Sequence, residues 1–338
     1  MPAREFAMLV KESSYGVPKA TPVLGTDAYV LRLTGGNSFD MQQNPIIGDI
    51  PYGGGYNSPA CRYSAQVEHK GSLQGEMYYG DGFAKFIADW CLTQVNSGRT
   101  TPWTTTDANH VMPPTDLASV SGYRGIQLDD GTYERRRHRG IKVHSGSFTA
   151  TSQDPLMKYN LQLVGQGDDL NAAANAEFPD ATEFPAPTES DYLCGAFLFP
   201  HTSGGLKIGS VRTLYGSATI SFTNTMDAKY YESKYIVLDK FCGRTITVAV
   251  NLYLKKTPDD VASYRSLEAL DTELTFDDGV NWLKFDFGTN CAWKGLARQT
   301  KIDGVYEYNG TLQVYWDAAA NSGNGGDLVI TSGVHEEG

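Results

Sequence analysis

The stretch Val305-Tyr306-Glu307-Tyr308-Asn309-Gly310-Thr311-Leu312-Gln313-Val314-Tyr315-Trp316 decides the fold class. β-Branched and aromatic residues dominate it and alternate with polar ones, the two-residue period of a half-buried strand. Asn309-Gly310 supplies the positive φ angles of a type I′ turn, so the segment predicts a hairpin. Two more hairpins are predicted at Asp130-Gly131 and Asp278-Gly279, the second flanked by Leu274 to Phe276 and by Trp282, Leu283, Phe285 and Phe287. Strand pairing therefore dominates, and the fold class is mainly β.

Two helices interrupt the strands. Asp81 is a plausible N-cap before Phe83, Phe86, Ile87 and Trp90, whose spacing builds one apolar stripe suited to packing on a sheet. Thr257 and Pro258 open the second, with Asp259 and Asp260 at the positive end of its dipole and a weaker stripe of Val261, Tyr264, Leu267 and Leu270.

The elements come twice in the same order: an alternating strand (Leu73, Met77, Tyr79, then Ile246, Val248, Val250, Leu252), a helix, an Asp-Asp-Gly turn and a closing strand. Gly131 to Gly140 and Gly279 to Gly288 are the same interval, and Leu161-Gln162-Leu163-Val164 matches Leu312-Gln313-Val314-Tyr315. This order predicts an internal duplication, against the alternative of coincidence among common β elements. The copies would span 1–170 and 192–338, each with one flanking helix, joined by an acidic linker at 171–191. From Gln166 to Asp191 the chain has seven acids, three prolines and no Lys or Arg. Relative to the second copy, the first carries an insertion at about 96–121 containing Pro113-Pro114, which reads as an exposed loop.

At 338 residues the chain has room for two packed units or one large β-architecture. Its 41% hydrophobic and 20% charged residues, with 36 Gly and 20 Tyr, fit a folded, turn-rich protein. A net charge of −11 argues against a broad basic face that grips nucleic acid. The five cysteines (Cys61, Cys91, Cys194, Cys242, Cys291) are far apart with no C-x-x-C pair, so reduced thiols are expected. The apolar run Phe6 to Val10 is too short for a signal-peptide core, and no run of 18 apolar residues offers a membrane-spanning helix.

The residues offer little chemistry. The common motifs for serine nucleophiles, phosphate loops, dinucleotides and zinc helices do not occur. Gly53-Gly54-Gly55 lacks a following Lys and helix and reads as a loop. The six histidines have no helical metal-ligand spacing, although His138 and His144 would converge only by folding. Asp129-Asp130 and Asp277-Asp278 each abut a glycine and fit turn chemistry better than a glycosidase pair. No catalytic, cofactor-binding or metal residue is assigned, no cofactor is expected, and the chain reads as a non-enzyme. In Glu134-Arg135-Arg136-Arg137-His138-Arg139, strand alternation puts Arg135, Arg137 and Arg139 on one face. These three are candidate subunit-interface residues pairing with carboxylates; a solvated face and a nucleic-acid patch are the alternatives.

The opening Ala3-Arg4-Glu5-Phe6 to Lys11-Glu12-Ser13-Ser14-Tyr15-Gly16-Val17-Pro18, with Gly140-Ile141-Lys142-Val143 and Leu161-Gln162-Leu163-Val164-Gly165, resembles segments of the tail tube proteins of long-tailed phages. That resemblance implies a structural virion protein, made in the host cytoplasm, with a β-sandwich domain and a flanking helix. Its strands would join those of neighbours into a barrel around a negatively charged conduit for genome ejection. It implies self-assembly into stacked rings and contacts with tail-tip, tail-terminator and tape-measure proteins. DNA would pass without specific binding, and no membrane is involved. Six domains per ring would make two copies per chain a pseudo-hexameric homotrimer, and one copy a homohexamer. The rival class is a carbohydrate-binding β-sandwich, receptor-binding or lectin-like, whose many tyrosines would stack on sugars.

Overall fold

The computed structural model describes residues 5–19, 22–23, 27–31, 33, 38–51, 59–78, 83–92, 107–110, 117–127, 133–152, 154, 156–170, 205–209, 211–231, 233, 235–253, 264–277, 281–289, 291–300, 306–315 and 328–334. In chain order these form β1 (Glu5–Lys11), β2 (Ala28–Leu31), β3 (Ser38–Pro51), β4 (Pro59–Glu76), α1 (Phe83–Leu92), β5 (Asp107–His110), β6 (Val120–Gln127), β7 (Tyr133–Thr151), β8 (Lys158–Gly165) and β9 (Gly167–Leu170). There follow β10 (Gly205–Ile208), β11 (Val211–Thr213), β12 (Tyr215–Lys229), β13 (Leu238–Tyr253), β14 (Thr272–Asp277), β15 (Asn281–Asp286), β16 (Cys291–Thr300), β17 (Tyr306–Val314) and β18 (Val329–Val334). Every strand pairing among the described residues is antiparallel, as expected of a hairpin-rich chain.

Eight strands run side by side in the order β3-β4-β8-β7-β12-β13-β17-β16. The first four and the last four follow one pattern: a long hairpin, then the closing strand, then the strand that precedes the closing strand in sequence. Even the irregularities recur. A register shift at Ile46/Ile47 on β3 is matched by one at Thr225/Met226 on β12, and one at Val143/Ser145 on β7 by one at Trp293/Gly295 on β16. The pattern extends to a second layer: β2-β1-β6-β7-β9 is matched by β11-β10-β14-β15-β18. β7 serves both layers; Gly140, at φ 63°, lies where it passes from one to the other, and Gly288, at φ 64°, lies between β15 and β16. The left-handed conformation is one glycine adopts at little cost, which explains a glycine at both corners.

Apolar residues fill the space between the layers. Leu73, Leu161, Leu163 and Phe148 join Ile220, Val248, Leu312 and Phe285 in one buried cluster that spans both halves of the chain. The Phe148 ring lies 5.8 Å from that of Phe222 and 5.5 Å from that of Phe285. α1 buries Phe83, Phe86, Ile87 and Trp90 as its stripe predicts. Its terminal carbonyls at Cys91 and Leu92 accept hydrogen bonds from Asn224 Nδ2 (2.9 Å) and the Arg244 guanidinium, so β12 and β13 cap a helix from the other half of the chain.

Several expectations need correction. Asn309-Gly310 is no turn: β17 runs straight through it, paired with β13 on one side and β16 on the other. Gly310 is required there because Trp293 packs against it; a Cβ would lie 2.3 Å from the indole Cζ3. The closing strands align differently from the sequence match, since the shared bulges set Leu163 against Leu312. The 96–121 insertion is more than a loop: β5 within it pairs with β18, and its end begins β6. Gly167–Leu170, at the start of the acid-rich stretch that precedes the linker, is a strand on β7. Of the second predicted helix, only Tyr264, Arg265 and Ser266 are helical among the described residues, and Leu267 of its stripe is 71% exposed. The strands flanking Asp130-Gly131 and Asp278-Gly279 do pair as hairpins. Those two turns, Gly53 to Gly55, the Asp81 and Thr257 caps and the 171–191 linker lie outside the described residues.

Candidate functional site

The alternation that buries one side of the eight-strand sheet puts short polar residues on the other. Ser145, Ser147 and Thr149 on β7, Thr219, Ser221 and Thr223 on β12, Thr247 and Asn251 on β13, and Asn309 and Thr311 on β17 are all exposed or half-exposed. Their hydroxyls and amides bond across strands: Thr149 Oγ1 to Thr219 Oγ1 at 3.2 Å, and Asn251 Nδ2 donating to Asn309 Oδ1 at 2.8 Å. The face holds an open groove of about 400 Å³ lined by Ser217, Thr219, Asn251, Ala297 and Thr311 among others, with no aromatic ring in its wall.

Charge is unevenly spread over this face. Across β12, β13 and β17 its centre carries hydroxyl and amide groups. Asp40, Glu68 and Glu76 stand toward β3 and β4 beside Lys70 and Lys158, and the Glu68 carboxylate accepts from Lys70 Nζ at 2.7 Å. Among the described residues, the centre of this face lacks the clustered cations that hold phosphates.

The sheet has a sealed seam at its middle and two open margins. The seam joins β7 to β12 in seven consecutive pairs, from Ser145 opposite Thr223 to Thr151 opposite Ser217. Buried polar groups anchor it from behind. Asn224 Nδ2 donates to the Val143 carbonyl at 2.8 Å, Lys142 Nζ donates to the Asp239 carbonyl, and His144 Nε2 lies 2.8 Å from Asp239 Oδ2. At the margins, β3 and β16 each pair with one strand among the described residues, and Cys291 at the start of β16 also bridges to Leu270.

Glu12 ties the two resembling motifs together. Its carboxylate accepts hydrogen bonds from the backbone N–H groups of Gly16 and Gly140, both at 2.9 Å, and from the hydroxyls of Ser119 (2.5 Å) and Ser121 (2.7 Å). The Lys142 ammonium lies 4.8 Å from the centre of the Tyr15 ring. Glu12 was legible only as part of a motif, because Ser119, Ser121 and Gly140 lie more than a hundred residues away.

The other candidates resolve plainly. Arg137 is 9% exposed and Arg139 half-buried on a strand already paired on both sides by β6 and β9, while the Arg135 side chain lies outside the described residues. His138 and His144 do not converge: His138 Nδ1 lies 3.0 Å from His69 Nε2 in the core, and His144 turns to Asp239. Burial lowers His69 to about 4, and burial with the neighbouring charges of His69, Arg136 and Arg124 lowers His138 to about 3. Burial pushes the Cys291 thiol up to about 12, and Cys91, Cys242 and Cys291 are free thiols. No cluster of three or more metal-ligating side chains occurs among the described residues, and none of the described helices is long and apolar enough to cross a membrane. Sequence reasoning missed the polar face as a unit. Its signal was Ser145-Gly146-Ser147-Phe148-Thr149-Ala150-Thr151 beside Ser217-Ala218-Thr219-Ile220-Ser221-Phe222-Thr223, two hydroxyl-alternating runs that prove to be partners.

Compared with curated proteins one at a time, the chain matches none. A family model described as phage tail tube protein matches residues 3–331. With nearly all of its length matched and a mainly β, antiparallel architecture, the chain belongs to the phage tail tube protein family.

Proposed function

We propose that this chain is the repeating subunit of a phage tail tube, in which protomers close into rings, rings stack head to tail, and the hydroxyl-lined face of the eight-strand sheet forms the wall of the channel. The observation that carries this reading is the four-strand unit β3-β4-β8-β7, matched by β12-β13-β17-β16 and joined to it through β7 and β12. Matching bulges in both units support an internal duplication, with copies at 1–170 and 192–338. Three chains then supply six units, a pseudo-hexameric homotrimer; a homohexamer follows if each chain acts as one unit. Open margins at β3 and β16 are an aggregation liability in a lone protomer, and ring closure removes it.

DNA passes over a wall with little cationic character, and genome ejection needs that weak binding. Stacking is a heterologous contact that does not close, so tube length is set by partners: tape-measure, tail-tip and tail-terminator proteins. Of the arginines assigned to an interface from sequence, Arg139, half-buried, remains a candidate contact between subunits. The absence of aromatic rings from the groove counts against a sugar-binding module.

Expression of the chain alone followed by electron microscopy tests the proposal. Rings or tubes with a central channel are expected, and their threefold or sixfold chain count decides the stoichiometry. A protein that stays monomeric at high concentration overturns it.

A further inference from the structure

The seam inside the chain is a template for the seam between chains. In the first unit β7 is the outer strand that meets β12, and in the second unit the strand in the place of β7 is β16. The strand in the place of β12 is β3. Position by position, the shared bulges fix the correspondence. Val143 and Ser145 flank the bulge on β7 as Trp293 and Gly295 do on β16, and Ile46/Ile47 on β3 stand where Thr225/Met226 stand on β12.

Carrying the seven internal pairs across, we infer that β16 of one protomer pairs antiparallel with β3 of the next, with Gly295 opposite Asn44, Ala297 opposite Gln42 and Gln299 opposite Asp40. The inference rests on the ring reading above and adds the partner strand and the register.

Two features of the margins agree with it. Pro45 has no N–H to give a ladder and suits an edge strand. It falls one residue beyond Asn44, in the position of Asn224, where the internal seam also stops pairing and Asn224 turns its side chain to carbonyls instead. The formal charges within the carried-over pairs are complementary: β3 contributes Asp40 and no Lys or Arg, and β16 contributes Arg298 and no Asp or Glu. The internal seam is neutral on both strands over its paired length, so the seam between chains is the salt-sensitive one.

Cysteine cross-linking of assembled full-length chains tests the register. Gln299 and Asp40 stand where Thr149 and Thr219 touch in the internal seam, so the double variant Gln299→Cys, Asp40→Cys places two thiols at a cross-strand position within disulfide reach. After oxidation with oxidised glutathione, non-reducing gels should show most of the chain as covalent dimers and trimers, above the background given by the native cysteines alone. The offset variant Gln299→Cys, Gln42→Cys should stay at that background. If the first pair impairs assembly, Gly295→Cys with Asn44→Cys samples the same register, and a Cβ at Gly295 meets nothing within 4 Å.

Rings that cross-link through the offset pair overturn the register. Rings in which neither in-register pair cross-links overturn the β16–β3 seam while leaving the tube reading intact. Failure of the unmodified chain to form rings overturns both.

Discussion

In the first four-strand unit Gly146 lies opposite Leu161; at the matching pair of the second unit, Leu296 lies opposite Gly310. Large and small have changed strands. A Cβ on Gly146 would come within 2.6 Å of Leu161, and one on Gly310 within 2.3 Å of Trp293, so each glycine is held by a neighbour the other unit lacks. Pairing order and bulges are shared by the two units, whereas the side-chain volumes that fill the core are redistributed across the same cross-strand position. Backbone hydrogen bonding constrains a sheet residue by residue, while packing constrains only the summed volume, so the second drifts more freely than the first.

The strongest challenge to this comparison is Phe148→Ala. Phe148 belongs to the first unit, is 0% exposed, and packs on Phe222 and Phe285 of the second. Its loss should cost about 3–5 kcal/mol, and because the core is shared, denaturant unfolding should shift as one transition. Two separable transitions, with only one displaced, would show that the units fold apart.

Acid sharpens the contrast. The first unit buries His69 where the matching position of the second holds Ile246. Both members of the His69–His138 pair are lowered on folding, to about 4 and about 3 from 6.5. The unfolded chain therefore takes up protons that the folded one refuses. Stability from this pair is complete above pH 6.5 and is lost as the pH falls toward 4 and 3, by on the order of a few kcal/mol. Denaturation midpoints at pH 7, 5 and 4 check the slope, which the double variant His69→Leu, His138→Leu should flatten. An unchanged slope would place the acid sensitivity elsewhere.

The corner glycines differ in the same spirit. The Gly140 N–H is accepted by Glu12 from the far end of the chain, and the Gly288 N–H by Asp286 two residues away, at 3.0 Å. Glu12→Ala strands two backbone donors and two hydroxyls and should cost about 2–3 kcal/mol. Asp286→Ala should cost about 0.5–1 kcal/mol, since a local acceptor is easily replaced by water. Equal losses in urea melts would mean that the N-terminal motif does not brace the first unit.

Alternation carried most of the fold in the sequence. The strands near Leu161, Val248 and Phe285, the α1 stripe and the hairpins around Asp130-Gly131 and Asp278-Gly279 follow from two-residue and 3.6-residue periods. The repeated order of elements was visible too, but with the closing strands set two residues out of step, because a period of two fits equally well after a two-residue slip and only the bulges fix the register. β5 and β9 were hidden inside segments whose polar composition reads as loop or linker. Strands that short are held by the neighbour they pair with, not by their own pattern. The polar face was hidden for a related reason: Ser and Thr runs carry no chemistry singly and become a surface only when β7 meets β12.

Asn309-Gly310 shows how local chemistry loses to packing, and it offers the finest test. Were Gly310 a turn residue with positive φ, Gly310→Ala would be destabilising whatever stood at position 293. In the structure the obstacle is the Trp293 ring, buried at 2% exposure, so Gly310→Ala should cost about 1–2 kcal/mol through overpacking. In a Trp293→Leu background the same substitution should add less than about 0.5 kcal/mol, because the atoms it would meet are gone. A double-mutant cycle in urea reads the difference directly. Strict additivity would return Gly310 to a turn, whereas coupling ties the glycine to a tryptophan that fills, from β16, the volume a leucine fills from β8 in the other unit.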